Sequence, residues 1–147
     1  MNETTLQTLK NKKALYAGIG NLLRRDDGVG VYITSHLTHT NHVCPLCVEV
    51  SIENYIGRIN QTYADVLVLI DSMDFKEPPG YWNLLPIEQV NGITTNTHNI
   101  SLDKVSELFN KQTYILGIQP GDLNFGEELT AEVKKSADNI IYQIQRL

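Results

Sequence analysis

Two carboxylates and one imidazole occupy positions of this 147-residue chain from which they could act together. Asp27 follows a glycine-containing turn, Asp71 directly follows an apolar run, and His98 lies in a polar segment. Two carboxylates and an imidazole form a facial ligand set for a divalent metal ion, with coordination positions left open. The same groups can serve as a general acid and a general base. Each also has a simpler interpretation: a helix cap for Asp27, a strand-end turn for Asp71 and a surface loop residue for His98.

Apolar patterning around Asp27 and Asp71 predicts the elements that must position them. Residues 14–20, ALYAGIG, form a short apolar run that ends in glycine, which indicates a buried strand. Apolar residues at positions 29, 33 and 37 then recur every four residues, which indicates one face of a helix with Asp27 as its N-cap. Residues 66–70, VLVLI, are apolar throughout, as in a strand buried on both faces, and this strand should end at Asp71.

The rest of the chain continues this alternation of strands and helices. We expect strands at 47–51, 81–85 and 113–118, and helices at 55–64, around 102–108 and from about residue 130. The alternation predicts an α/β fold with a twisted, mostly parallel sheet and helices on both faces. We expect a single domain at residues 13–147, preceded by a short polar N-terminal arm at residues 1–12. Ligand groups gather beyond the carboxyl ends of such strands, which is where Asp27 and Asp71 are expected.

Charge and hydropathy disfavour several classes of partner. The net charge is -5 and no long basic run occurs, which argues against a nucleic-acid binder because phosphate contacts need clustered Lys and Arg. No apolar segment approaches the roughly 18 residues that a membrane span requires, and the first residues lack the apolar core of a signal peptide. We therefore expect a cytoplasmic protein that binds neither nucleic acid nor membrane, with a monomer as the default oligomeric state.

The stretch GIGNLLRRDDGVG, residues 18–30, raises the alternative of a phosphate-binding loop. The dinucleotide fingerprint needs a third glycine, which allows close packing of the helix, and that glycine is missing. Asp26 and Asp27 would also repel a pyrophosphate, and the chain has no G-K-S/T motif of a P-loop. These departures disfavour a nucleotide site.

Three histidines and two cysteines suggest a second possible metal site. His36, His39 and His42 are spaced by three, and Cys44 and Cys47 follow in CPLC. Imidazole and thiolate suit zinc, but steps of three drift around a helix that repeats every 3.6 residues, so these histidines converge poorly. We therefore interpret the histidines as solvated residues at a helix end, Cys47 as a core residue and Cys44 as a half-exposed thiol.

Four segments, taken in order, resemble signatures of the hydrogenase maturation endopeptidases. The first matches G-x-G-N-x-x-x-x-D-D/E-x-x-G at Gly18, Gly20, Asn21, Asp26, Asp27 and Gly30. The others are VLIDSMD, THNISL and ILGIQPGDLNFGEELTAEV, which are similar to the family's strand ending in aspartate, its T-H-x-x-x-L segment and its C-terminal segment. The likeness covers nearly the whole chain after about residue 13. TTNTHN and LGIQP are most similar to the formate-linked, hydrogen-evolving branch.

This resemblance implies a twisted α/β sheet between helices and one hydrolytic activity. Members remove the C-terminal extension of a nickel–iron hydrogenase large-subunit precursor by a single cut after nickel insertion. The family's metal-binding and catalytic positions fall here on Asp27, Asp71 and His98, which by that resemblance touch the nickel held by the precursor's cysteines. Another divalent cation is expected to be able to occupy the site in vitro. The alternatives are a related peptidase with another substrate and a non-catalytic module that only checks for nickel.

The first of these segments also carries expectations about its loop. Gly18 and Gly20 are expected to let the backbone turn sharply after the strand, and Asn21 to support the loop by side-chain hydrogen bonds. Arg24 and Arg25 depart from the family, which more often has apolar or small residues there. We expect them either to hold the acidic or C-terminal end of the precursor or to point into solvent.

Overall fold

A sheet with four parallel strands lies at the centre of the computed structural model, which describes residues 6–90, 94–95 and 102–147. The strands are β1 (Ala14–Ile19), β2 (Val43–Glu49), β3 (Val66–Asp74), β4 (Trp82–Pro86), β5 (Thr94–Thr95) and β6 (Gln112–Ile118). Their order is β2-β1-β3-β6-β4, with β5 paired to the end of β3. Strands β2, β1, β3 and β6 run parallel, whereas β4 and β5 are antiparallel to their neighbours. The predicted mostly parallel sheet, with an edge strand near residues 81–85, is confirmed.

Helices cover both faces of the sheet, as predicted. They are α1 (Val29–His36), α2 (Ile56–Gln61), α3 (Leu102–Ser106) and α4 (Ala131–Gln145). One face packs against α1 and α4 and the other against α2 and α3, so a hydrophobic core lies on each side of the sheet. In α4, residues 133, 137, 140 and 144 are fully buried, and this spacing is the apolar stripe of a helix that lies on a sheet. None of the described helices has the length and apolarity of a membrane span.

The central strand β3 is apolar at successive positions because both of its faces are covered. Val66, Val68 and Ile70 lie in the core under α1 and α4, and Leu67 and Leu69 lie in the core on the other side. Neighbouring side chains of a strand point to opposite faces, so an unbroken apolar run is stable only between two layers. This explains why the run at residues 66–70 predicted the strand correctly.

Several boundaries differ from the sequence prediction, three of them for a clear physical reason. β2 begins at Val43 rather than at residue 47, because it pairs with β1 from Ala14 onward. β3 continues to Asp74, because both β6 and β5 pair with its last residues. α3 ends at Ser106, which leaves Leu108 exposed in a turn rather than on a helix face.

The segment expected to be a polar N-terminal arm contributes side chains to the core. Leu6 and Leu9 are buried and belong to the cluster under α1 and α4. Burying two leucine side chains contributes roughly 3–6 kcal/mol relative to leaving them exposed. The described part of this segment therefore stabilises the fold, and the domain boundary at residue 13 stays a prediction.

The two cysteines lie on opposite faces of β2. Cys47 is exposed, with its Sγ 3.3 Å from Thr34 Oγ1, whereas Cys44 is partly buried against the core on the α2 side. The expectation that Cys47 is a core residue is therefore wrong. Leu46 and Val48 take the buried positions on either side of it, as the alternation of a strand requires.

We predict that Cys44 and Cys47 do not form a disulfide in the folded protein. Residues three apart in an extended strand have Cα atoms about 10 Å apart, and a disulfide requires less than about 7 Å. Native protein treated with a mild oxidant, then alkylated in denaturant without reductant, should carry two alkylated thiols by mass spectrometry. Cys44→Ser provides the one-thiol control. A monomer with no alkylated thiol would contradict the strand geometry.

Candidate active site

A short 3-10 turn at Arg25–Gly28 places Asp27 between β1 and α1. The Asp27 side chain is fully buried, and its Oδ2 accepts a hydrogen bond of 2.9 Å from the backbone N–H of Asn21. The expected N-cap role of Asp27 is wrong, because the N-cap residue of α1 is Gly28 and no side chain caps the helix. Asp27 lies within the turn, and its carboxylate binds back to the loop after β1.

Close packing around Asp27 explains two glycines of the first segment. Gly20 has a φ of 138°, and a Cβ there would lie 1.9 Å from the carbonyl oxygen of Asp27. A Cβ at Gly30 would lie 2.1 Å from the carbonyl oxygen of Ile70, so α1 packs directly onto β3 one residue before Asp71. Neither position has room for a side chain. These contacts bring the two candidate carboxylates to the same edge of the sheet.

Two other expectations for the loop after β1 had different outcomes. Asn21 supports the loop as expected, because its Oδ1 accepts a hydrogen bond of 2.9 Å from the Leu23 N–H. Gly18 does not form the turn: it lies within β1, and a Cβ there would lie 2.3 Å from Thr34 Oγ1. Gly18 therefore allows α1 to pack closely on β1, and the sharp turn belongs to Gly20.

Asp71 lies inside β3, and the serine that follows it links it to Asp27. Asp71 and Ser72 are both fully buried. The Ser72 backbone N–H donates to Asp71 Oδ1 over 2.8 Å, and the Ser72 hydroxyl donates to Asp27 Oδ1 over 3.4 Å. The expected strand end at Asp71 is wrong, since β3 runs to Asp74. The structure thus brings Asp27 and Asp71 together through one residue that binds both.

Sequence reasoning missed Ser72. The sequence signal for it was a hydroxyl directly after Asp71, at the end of a run that is apolar from residue 66 to residue 70. A polar side chain buried in such a segment needs a hydrogen-bond partner, and the candidate carboxylates are the partners it finds.

Asp26, next to Asp27, binds a different part of the molecule. Its Oδ2 accepts hydrogen bonds from the N–H groups of Gly121 and Asp122 and from the Thr130 hydroxyl, at 2.8, 3.0 and 2.7 Å. Its Oδ1 accepts from the Thr130 N–H at 2.8 Å. These bonds fasten the loop between β6 and α4 to the turn that carries Asp27. Asp26 therefore holds this loop, while its neighbour lies at the candidate site.

Arg24 and Arg25 bind the same loop, so the expectation that they point into solvent is wrong. Arg24 Nε donates to the Leu123 carbonyl at 3.1 Å, and Arg25 Nε donates to the Glu128 carbonyl at 3.0 Å. Arg25 also forms an ion pair of 2.7 Å with Asp122. Each guanidinium group donates from its Nε within the chain, and the suggested contact with an acidic partner stays a prediction.

His98 lies outside the described residues, so its position relative to Asp27 and Asp71 stays a prediction. Thr95, three residues before it, pairs with Met73 and so lies beside the end of β3. Within the described ranges, no three His, Cys, Asp or Glu side chains gather as a set that could hold a metal ion. The described part of the candidate site is therefore the pair of carboxylates and Ser72.

The alternative zinc site does not form. His36, His39 and His42 are exposed, as expected. His36 lies at the end of α1, where its Nδ1 is 2.7 Å from the Tyr32 carbonyl oxygen. All three histidines and both cysteines are among the described residues, and they do not gather as a ligand set.

Comparisons of the sequence with known proteins point to one family. Residues 50–147 match the family model HycI, described as hydrogenase maturation protease. A relative from Methanocaldococcus jannaschii, whose name assigns it to the hydrogenase maturation proteases, is 28% identical over 158 residues. That match covers 96% of this chain and 92% of the relative.

Solved structures of such proteases share the fold. HycI from Thermococcus kodakarensis, a nickel–iron hydrogenase maturation protease, matches with a TM-score of 0.78 at 25% identity, covering 97% of each chain. HybD from Escherichia coli, a hydrogenase maturating endopeptidase, matches with a TM-score of 0.74 at 23% identity, covering 90% of this chain and 89% of its own. The second match bears on the fold alone. The mostly parallel sheet between helices is therefore the architecture that these proteases have.

Proposed function

The chain belongs to the hydrogenase maturation protease family, and from that premise we propose that it removes the C-terminal extension of a nickel–iron hydrogenase large-subunit precursor. Membership of this family makes the chain an endopeptidase of hydrogenase maturation. It disfavours the alternative of a non-catalytic module that only checks for nickel. The observation that carries the proposal is the pair of buried carboxylates, Asp27 and Asp71, hydrogen-bonded to one serine at the carboxyl edge of the sheet.

The precursor's nickel is part of the substrate in this proposal. Two carboxylates and one imidazole suit a divalent first-row metal ion, and Asp27, Asp71 and His98 supply these donors. We propose that they contact nickel held by the precursor's cysteines, so that only loaded precursor is cut. Nickel in that position supplies a Lewis acid for the scissile carbonyl or for a water molecule.

The chain's own residues would orient the substrate and accept a proton. A carboxylate held by hydrogen bonds can take a proton from the attacking water. Ser72 donates to both Asp27 and Asp71, so it holds the two groups in one arrangement before the substrate arrives. A metal brought by the substrate explains how a protease can work without an H-E-x-x-H motif.

We predict that the wild-type protein cuts nickel-loaded precursor from the same organism and leaves nickel-free precursor intact. Without nickel, the two carboxylates have no cation to bind and the scissile carbonyl is not polarised. Intact-mass spectrometry measures loss of the extension, and we expect initial rates to differ by at least about a hundredfold. Equal rates on both precursors would contradict nickel recognition. Cleavage of neither would contradict the substrate assignment and favour a related peptidase with another substrate.

A further inference from the structure

Three large apolar side chains lie exposed on two loops beside the candidate site. Leu22 and Leu23 follow β1 and are 45% and 59% exposed, and Phe125, in the loop between β6 and α4, is 89% exposed. These three residues are named the apolar rim below. A contiguous exposed apolar patch, unlike a single exposed apolar residue, is typical of a surface that binds another molecule.

Backbone hydrogen bonds hold the two loops of the apolar rim together. The Gly126 N–H donates to the Leu23 carbonyl at 2.9 Å, and the Arg25 N–H donates to the Gly126 carbonyl at 2.8 Å. The Arg25 side chain packs over the same glycine, since a Cβ at Gly126 would lie 2.9 Å from Arg25 Cγ. Gly126 directly follows Phe125, so this pairing brings Phe125 next to Leu23. The exposure therefore belongs to an ordered pair of loops.

Side-chain hydrogen bonds fix each loop from within. Asn21 Oδ1 accepts from the Leu23 N–H at 2.9 Å, and Asp122 Oδ1 accepts from the Asn124 N–H at 2.8 Å. The Asn124 N–H, followed by the Arg25 guanidinium, lowers the pKa of the Asp122 carboxyl, so this carboxyl is charged near neutral pH. The ion pair neutralises Arg25 within the chain, and the three side chains of the rim are themselves apolar.

The apolar rim is continuous with the candidate site. Leu22 follows Asn21, whose N–H donates to Asp27 Oδ2. Leu22 also packs against Gly28, where a Cβ would lie 3.2 Å from Leu22 Cδ2. A precursor segment that approaches Asp27 from the side of this loop can therefore contact the rim. On the basis of the proposed function, we propose that the apolar rim binds apolar side chains of the hydrogenase precursor next to the scissile bond.

The double variant Leu23→Ser/Phe125→Ser tests this inference. Because both side chains are exposed, the substitutions remove binding surface without removing core packing. We expect KM for nickel-loaded precursor to rise at least about tenfold and kcat to stay within about twofold, since the rim contributes binding and no reacting group. Rates come from intact-mass spectrometry over a range of precursor concentrations. Phe125→Ser alone, at the most exposed position, should give part of the same rise.

The matched control is Tyr63→Ser/Leu108→Ser, whose side chains are 79% and 57% exposed and precede β3 and β6, at the amino ends of the parallel strands. Its KM should equal that of the wild type. An unchanged KM in the rim variant, with an active wild type, overturns the inference, whereas an inactive wild type overturns the proposed function. Light scattering tests whether a second copy of this chain, rather than the precursor, covers the rim. A wild-type dimer that the rim variant converts to a monomer, with KM unchanged, would assign the rim to a second copy of the chain and overturn the inference.

Discussion

Replacing Asp71 with asparagine is expected to lower the rate of precursor cleavage by at least about a thousandfold, because the change removes a charge from the reacting site. Asparagine has the same shape and can keep the 2.8 Å hydrogen bond from the Ser72 N–H, so the fold should stay intact. The neutral amide can neither take a proton from water nor balance the charge of a cation. Initial rates on nickel-loaded precursor, measured by intact-mass spectrometry, report the loss.

Two further variants test whether the loss of rate in Asp71→Asn arises from the carboxylate at the reacting site. Ser72→Ala removes the 3.4 Å hydrogen bond to Asp27 but keeps the backbone bond to Asp71. We expect a loss of about tenfold, since one long hydrogen bond to a charged group contributes roughly 1.5 kcal/mol. Asp65→Asn, at an exposed aspartate just before β3, should leave the rate unchanged. A thousandfold loss in Ser72→Ala would assign the hydroxyl to the reaction itself, and an active Asp71→Asn would overturn the site.

The apolar elements could be predicted from the sequence because burial leaves a local pattern. The unbroken run of β3 and the stripe of α4 both arise from the geometry of a single element, so neighbouring residues are sufficient to read them. The start of β2 could not be read in this way. Its first residues, Val43 to Leu46, include Cys44 and Pro45, and the strand lies at the edge of the sheet with only β1 beside it.

The candidate site was predictable only in part, for a related reason. The shared edge of Asp27 and Asp71 follows from the alternation of strands and helices, because carboxyl ends of parallel strands meet there. Their hydrogen-bond partners depend on contacts between distant segments. Ser72 and Asp27 are 45 residues apart, and Arg25 and Asp122 are 97 residues apart. No local pattern encodes such pairs, so Ser72 was missed and Arg25 was assigned to solvent or to a partner.

The adjacent Asp26 and Asp27 differ in what surrounds each carboxylate, and asparagine substitutions should separate their roles. The oxygens of Asp26 face three backbone N–H groups and one hydroxyl, so the NH2 group of an asparagine would meet a backbone donor in either orientation. An asparagine at position 27 can accept from the Asn21 N–H and donate to the Ser72 hydroxyl. Both described bonds of Asp27 can therefore survive the substitution, whereas those of Asp26 cannot.

We therefore expect Asp26→Asn to lower the free energy of unfolding by about 3 kcal/mol, which lowers the melting temperature by roughly 8 °C in a chain of this size. Asp27→Asn should lower the free energy of unfolding by less than about 1 kcal/mol. Cleavage should show the reverse order: folded Asp26→Asn stays within about tenfold of wild type, and Asp27→Asn loses at least about a hundredfold. Circular dichroism melts and cleavage rates on the same samples give both quantities. Equal destabilisation by the two substitutions, or an inactive but folded Asp26→Asn, would mean that Asp26 belongs to the reacting site rather than to the attachment of the loop.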